Sequence, residues 1–141
     1  MQVLVTQRSN PYLWLGLGCR RHTPEHQLAA AIDWLCTQYG IHITTIAGIA
    51  TLSTKQTEVG LLVYCKNQRW PLLTFTPQEL QNYTVPSPSM VVTAAIGIQS
   101  VAEAAALMGA TQFSLNGKAP LLLIPKQVRG KVTLALAQPG R

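Results

Sequence analysis

The strongest chemical feature of the chain is the run Gly16-Leu17-Gly18-Cys19-Arg20-Arg21, placed between an apolar stretch and a Thr23-Pro24 helix start. Glycines let a backbone approach a ligand closely, and amides beside a helix start attract anions. Two guanidiniums add bidentate donors for carboxylate or phosphate. A tight turn with two solvated arginines explains the same residues. Gly-x-Gly is half of a dinucleotide fingerprint: Arg21 stands where the third glycine belongs, and no acid closes a following strand at the required distance. Cys19, next to Arg20 and near a helix start, has the setting that lowers a thiol pKa; a buried structural thiol fits it as well.

Carboxylates are scarce. Glu25, Asp33, Glu58, Glu79 and Glu103 are the whole set, so any carboxylate acid or base must come from it. Glu58 and Lys55 lie near a second helix start, where Glu58 gains from the helix dipole; a solvated surface pair is the plain alternative. Ser100 and Glu103 have capping-box spacing, which explains both without a ligand. If Glu103 faces a cleft instead, it sets a carboxylate beside unpaired amides. His22 and His26 are spaced like helix-borne metal ligands, but Pro24 starts the helix between them and leaves His22 outside. Cys19, Cys36 and Cys65 lie far apart. No metal site and no disulfide framework are expected, and reduced thiols suit a cytoplasmic protein.

These residues need a scaffold. The 141 residues are 48% hydrophobic and 11% charged, which excludes disorder and supports one domain with one core. The net charge of +6 ordinarily serves solubility and can also steer a polyanion, without identifying which. A nucleic acid is the weakest candidate, because no basic cluster is interleaved with aromatics. No apolar run reaches membrane-spanning length: residues 90–110 are broken by Gln99, Ser100 and Glu103. A signal peptide is not expected, since the apolar segment before Cys19 is short and interrupted by Pro11.

Residues 1–11 read as an N-terminal arm and residues 12–17 as a buried strand. Thr23 as cap and Pro24 at the first helical position open a helix. Leu28, Ile32, Leu35 and Tyr39 give it one apolar face, and Gly40 ends it. Residues 41–53 leave helix and strand open, with 49–52 the strand candidate. Thr57 caps a helix to about Gln68, with Val59, Leu62 and Cys65 on one face; a strand over 59–64 is the rival. Residues 72–76 form a strand. Thr76-Pro77-Gln78-Glu79 combines a capping box with a first-position proline. Pro86-Ser87-Pro88-Ser89 is a loop capping another helical turn. Ser100 opens an Ala-rich, close-packing helix that runs to Gly109. Residues 121–124 and 132–137 are strands joined through an Arg129-Gly130 hairpin, and 138–141 form a tail. Trp14, Trp34 and Trp70 can stack on a planar ligand or serve as packing. Alternating strands and helices predict a single α/β layered domain, and the hairpin makes its sheet mixed.

Taken in order, these pieces resemble the cobalamin biosynthesis family comprising CobE and the C-terminal domain of CbiG. The resemblance rests on Gly16-Leu17-Gly18-Cys19-Arg20, on Ile49-Ala50-Thr51 with Lys55, Glu58 and Gly60-Leu61, on Gly97 with Ser100-Val101-Ala102-Glu103-Ala104-Ala105-Ala106-Leu107, and on Leu123-Ile124-Pro125-Lys126 with Val132-Thr133-Leu134-Ala135. It spans residues 12–137. It implies a three-layer α/β/α domain acting on a precorrin-type tetrapyrrole, with other cobalamin-pathway enzymes as partners. It implies no cofactor of the domain's own; cobalt enters only as part of the substrate. Full-length CbiG proteins open the δ-lactone of cobalt-precorrin-5A, release acetaldehyde and carry a further N-terminal portion. Only eleven residues precede the span of the resemblance here, so the free-standing CobE arrangement is the expected one.

By that resemblance Gly16, Gly18, Cys19, Arg20, Thr51, Gly97, Ser100 and Val101 are the candidate ligand-binding residues. Two functions follow. In an accessory binder or carrier, Arg20 clamps a tetrapyrrole carboxylate and amides near Gly18 and Cys19 hold another. In a hydrolase, with a partner supplying the missing portion, Glu58 or Glu103 activates water and Lys55 or Arg20 stabilises the oxyanion.

Overall fold

The computed structural model describes residues 11–81 and 101–141. Chain order is β1 (Leu13–Cys19), α1 (Glu25–Tyr39), β2 (Ile46–Leu52), α2 (Val59–Gln68), β3 (Leu72–Phe75), α3 (Pro77–Gln81), α4 (Val101–Thr111), β4 (Leu121–Arg129) and β5 (Val132–Gln138). The five strands form one mixed sheet in the order β3-β2-β1-β5-β4. β1, β2 and β3 are parallel, β5 runs antiparallel to β1, and β4 runs antiparallel to β5.

The topology follows from local chemistry. Two consecutive parallel crossovers step in the same direction, β1 to β2 to β3, so their helices α1 and α2 fall on the same face of the sheet. Alternation along β1 divides its side chains. Leu13, Leu15 and Leu17 pack with Leu28, Ile32, Leu35 and Leu61 of α1 and α2. Trp14 packs on the opposite face with Ala102, Ala106 and Ala110 of α4. Phe75, Leu80 of α3 and Ala105 continue that second layer. This is the expected three-layer α/β/α domain. The alanine stripe lets α4 lie close to the sheet: a Cβ at Gly16 would overlap the Ala102 carbonyl oxygen and lie 2.8 Å from the Ala106 nitrogen.

Several local expectations are met. Thr76 and Glu79 form the capping box reciprocally, at 2.8 and 3.0 Å. Gly40 closes α1 in the left-handed region with φ 65°. The segment 41–53, left open between helix and strand, holds a 3₁₀ turn at Ile43–Thr45 and a strand at Ile46–Leu52 that contains the 49–52 candidate. Gly130 turns the β4–β5 hairpin with φ 61°.

Others are corrected. Pro24 is the N-cap of α1, one place before the first helical position. The Thr23 hydroxyl does not cap; it donates to the Arg20 carbonyl at 2.6 Å. Glu58, not Thr57, is the N-cap residue of α2. The buried face of α2 is Leu61, Tyr64 and Cys65, while Val59 and Leu62 are exposed, as is Tyr39 on α1. Apolar residues ring α2, so spacing alone could not pick its core face. Gly16 and Gly18 are ladder residues within β1, opposite Ala135 and Thr133, and not part of the turn. The Ala-rich helix continues past Gly109 to Thr111. β4 runs to Arg129, far beyond Ile124, across a bulge at Pro125 and Lys126. Within residues 138–141, the Gly140 N–H donates to Ser114 Oγ at 2.8 Å, and the Arg141 guanidinium lies over the Tyr12 ring. Residues 1–10 of the expected 1–11 arm, the loop at residues 86–89, Gly97 and Ser100 lie outside the described residues.

Candidate functional site

The candidate residues Arg20, Thr51 and Lys55 lie at or just beyond the carboxyl ends of β1 and β2, the end of an open α/β sheet where ligands gather. Arg20 follows directly on β1 and is fixed on both sides. Its N–H donates to the Lys131 carbonyl at 3.2 Å. Its carbonyl accepts from the Thr23 N–H at 3.2 Å and from the Thr23 hydroxyl at 2.6 Å. The turn so formed puts His22 at φ 66°, a conformation unusual for a side-chain-bearing residue. The His22 N–H donates to Glu58 Oε1 at 2.8 Å. Glu58 therefore leaves its own helix uncapped and ties the start of α2 to the turn after β1. Gly60 permits that approach, since a Cβ there would overlap the Thr23 carbonyl oxygen and lie 3.0 Å from the Glu25 nitrogen.

Cys19, Thr23, Lys55 and Glu58 converge on this side of the sheet. Burial pushes the Cys19 thiol above its ordinary value; the Lys55 ammonium pulls it down, Glu58 pushes it up, and a hydrogen bond with Thr23 favours the thiolate. Burial wins, so the thiol is protonated at neutral pH and is no activated nucleophile. Thr51 is fully buried and its hydroxyl donates to the Leu17 carbonyl at 2.6 Å, bracing β2 against β1. A cavity of about 610 Å³ opens where α1 and α2 begin, lined by Arg21, His22, Thr54, Glu58 and Val63 among others.

The other half of the candidate set lies across the sheet. Gly16 and Gly18 face the α4 layer, and Val101 begins α4 half-buried. Glu103 is 4% exposed. Its Oε2 accepts from the Lys126 N–H at 2.8 Å, an amide placed by the β4 bulge, whose neighbour Pro125 has no N–H to give. Its Oε1 has no hydrogen-bond partner among the described residues. Glu103 and Glu58 therefore sit on opposite faces and do not form an acid–base pair.

Two residues that the sequence reading passed over complete the basic edge. β5 pairs with β1, so the hairpin tip carries Arg129 and Lys131 to the side of Arg20. The Arg129 guanidinium lies over the Trp34 ring, 4.5 Å from its centroid. Cations flanking a turn glycine were the available signal; which strand the hairpin would pair with was not. Trp14 stacks on Phe113 at 5.3 Å and Trp70 meets Tyr64 edge-on at 5.7 Å, so both act in packing. Among the described residues, no three of His, Cys, Asp and Glu come together around a possible metal position. No helix among them is long and apolar enough to cross a membrane.

The fold is thus a three-layer domain with a mixed five-strand sheet in the order β3-β2-β1-β5-β4. The family model described as the cobalamin synthesis G C-terminus matches residues 13–137, and the chain belongs to that family. A cobalt-precorrin-5A hydrolase of Priestia megaterium is 27% identical over 89% of this chain, which spans about a third (32%) of that relative's length. Protein CobE of a Sinorhizobium species is 29% identical over 96% of this chain and 85% of its own. The crystal structure of CobE, from the cobalamin (vitamin B12) pathway, superposes with a TM-score of 0.71 at 27% identity, covering 90% of this chain and 89% of that one. The cobalamin biosynthesis protein ChiG of Agrobacterium tumefaciens shares the fold, with a TM-score of 0.66 at 24% identity over 92% of this chain and 99% of that one.

Proposed function

We propose that this chain binds an anionic precorrin or cobalt-precorrin and holds it for other enzymes of corrin ring construction, as an accessory protein or carrier. The observation that carries this reading is Arg20. Its backbone is locked at the carboxyl end of β1, its side chain is exposed, and no described acceptor engages it. Precorrins are rimmed with acetate and propionate carboxylates, the groups a guanidinium recognises in bidentate fashion. Three other candidates at this edge are accounted for without a ligand: Glu58 holds the His22 amide, Thr51 braces two strands, and burial raises the Cys19 thiol. Spectral titration of Arg20→Ala and Arg21→Ala with a precorrin tests the assignment. A charge-assisted hydrogen bond is worth about 1.5–3 kcal/mol, so Arg20→Ala should weaken binding by roughly one to two orders of magnitude. Arg21→Ala should act only through salt-screened attraction. Equal losses for the two variants, erased alike by moderate salt, would reduce the site to diffuse charge of the kind that also retains nucleic acid.

One observation favours the hydrolase reading, suggested by the name of the longer relative: the buried, unpartnered Oε1 of Glu103. A buried carboxylate oxygen without a donor needs an explanation, and accepting a proton from water is one. Glu103→Gln retains the oxygen that accepts from Lys126. If that variant abolishes acetaldehyde release from cobalt-precorrin-5A while leaving the fold intact, hydrolysis is the function. If wild type releases none, with or without a partner supplying the rest of the longer relative, the hydrolase reading fails.

A further inference from the structure

The charge of this molecule is distributed unevenly, because its few acids are already engaged. Glu25 accepts from Asn67 at 2.7 Å, Glu58 from the His22 amide, Glu79 from Thr76 and Glu103 from Lys126. Asp33 acts on Cys36 and Tyr64, the side of α1 that faces α2. None of them lines the groove of about 420 Å³ between α1 and the β4–β5 hairpin. Its walls are Trp34, Ala30 and Ala31 on one side and Arg129, Gly130 and Lys131 on the other. The Lys131 carbonyl is the acceptor for the Arg20 N–H, so one residue of the groove is hydrogen-bonded to the residue that follows β1.

We propose that this groove is a subsite for a polycarboxylate with an apolar body, in which Lys131 and the Trp34-stacked Arg129 take carboxylates and the Ala30 side of α1 lies along the body between them. The proposal rests on the precorrin-binding reading and adds the residues that select the rim of the macrocycle. Stacking on Trp34 holds the Arg129 guanidinium in place, and its N–H groups have no described acceptor. A stacked arginine loses less freedom on binding a carboxylate than an unsupported one. Gly130 at the tip leaves the mouth open, with nothing within 4 Å of where its Cβ would be.

The test uses two probes. One is metal-free uroporphyrin, which carries an acetate and a propionate on every pyrrole ring. The other is mellitate, a benzene ring with a carboxylate at every position. Uroporphyrin binding is read from its Soret band, mellitate binding from tryptophan fluorescence, with Trp34→Phe assigning the signal. Arg129→Ala and Lys131→Ala should each weaken uroporphyrin binding roughly tenfold or more. Arg129→Lys, which keeps the charge but loses the fork, should fall between Arg129→Ala and wild type. Lys66→Ala and Lys118→Ala, which lie outside the groove, should bind as wild type does. Thermal unfolding of each variant confirms that it is folded. If Arg20→Ala weakens uroporphyrin binding while Arg129→Ala and Lys131→Ala do not, the subsite is wrong and the functional reading stands. If mellitate binds at Trp34 and uroporphyrin does not bind at all, the groove stands and the tetrapyrrole reading is wrong. Equal losses in all the lysine and arginine variants overturn the subsite in favour of unspecific attraction.

Discussion

Substituting the two glycines of the Gly16-Leu17-Gly18 run by alanine should have opposite consequences. At Gly16 an added Cβ would overlap the Ala102 carbonyl oxygen and lie 2.8 Å from the Ala106 nitrogen. Both are backbone atoms of α4, so no rotamer change relieves the clash. Restoring even the nitrogen contact to about 3.5 Å means moving the helix by roughly 0.7 Å, and the carbonyl demands more. Overpacking that side chains can absorb costs about 1–3 kcal/mol. A backbone clash should sit at the top of that range, less about 0.5–1 kcal/mol gained from the lower chain entropy of alanine. The net loss is about 2 kcal/mol or more, a large part of a total stability of roughly 5–15 kcal/mol. At Gly18 the nearest atom to an added Cβ is Thr133 Cβ at 3.9 Å, an ordinary contact. Gly18→Ala should therefore leave stability unchanged or raise it by up to about 1 kcal/mol. Urea unfolding followed by circular dichroism measures both. The same proteins titrated with a precorrin separate the roles further: Gly18→Ala loses affinity if a ligand approaches the backbone there. A Gly16→Ala protein within about 0.5 kcal/mol of wild type, or a Gly18→Ala protein destabilised as much as Gly16→Ala, would refute the packing account of this motif.

Thr51→Val removes a buried hydroxyl donor from the Leu17 carbonyl; unfolding should show a loss of about 1–2 kcal/mol, with precorrin affinity unchanged if Thr51 acts only as a brace. Thr76→Ala removes one arm of the capping box and should cost about 1 kcal/mol in the same assay. Burial raises the Cys65 thiol from 9.0 to about 11. A raised folded-state value means that this contribution to stability is complete below about pH 9 and is lost as pH climbs toward about 11, because the unfolded thiol ionises first. Urea midpoints measured across that interval should fall, and Cys65→Ala should flatten the fall; a pH dependence identical in the two proteins would contradict the burial of Cys65.

What is legible in the sequence alone is local or alternating. The Thr76–Glu79 box, the Gly40 stop and the hairpin at Gly130 each depend on residues a few places apart. The succession of strands and helices was enough for the layered architecture. Tertiary choices were not legible. Thr23 and Glu58 both occur where caps belong, yet one hydroxyl turns to Arg20 and the other side chain crosses to His22, because another part of the chain supplies a better partner. α2 has apolar residues on every side, so only its contact with α1 and β1 decides that Leu61 and Tyr64 are inside and Val59 and Leu62 outside. The candidate site was half legible for the same reason. The turn after β1 declared Arg20, but Arg129 and Lys131 join it only through the antiparallel pairing of β5 with β1. Glu103 has the position of a capping-box carboxylate, and the bulge at Pro125 that hands it the Lys126 amide has no local sign in the helix.

The most direct test of the central claim is an anaerobic titration of the wild-type chain with cobalt-precorrin-5A, recording the ligand spectrum and acetaldehyde in the same sample. A carrier or accessory binder shifts the spectrum saturably, releases no acetaldehyde, and loses that shift in Arg20→Ala. A spectrum that does not change at any protein concentration contradicts tetrapyrrole binding, and catalytic release of acetaldehyde contradicts the accessory role.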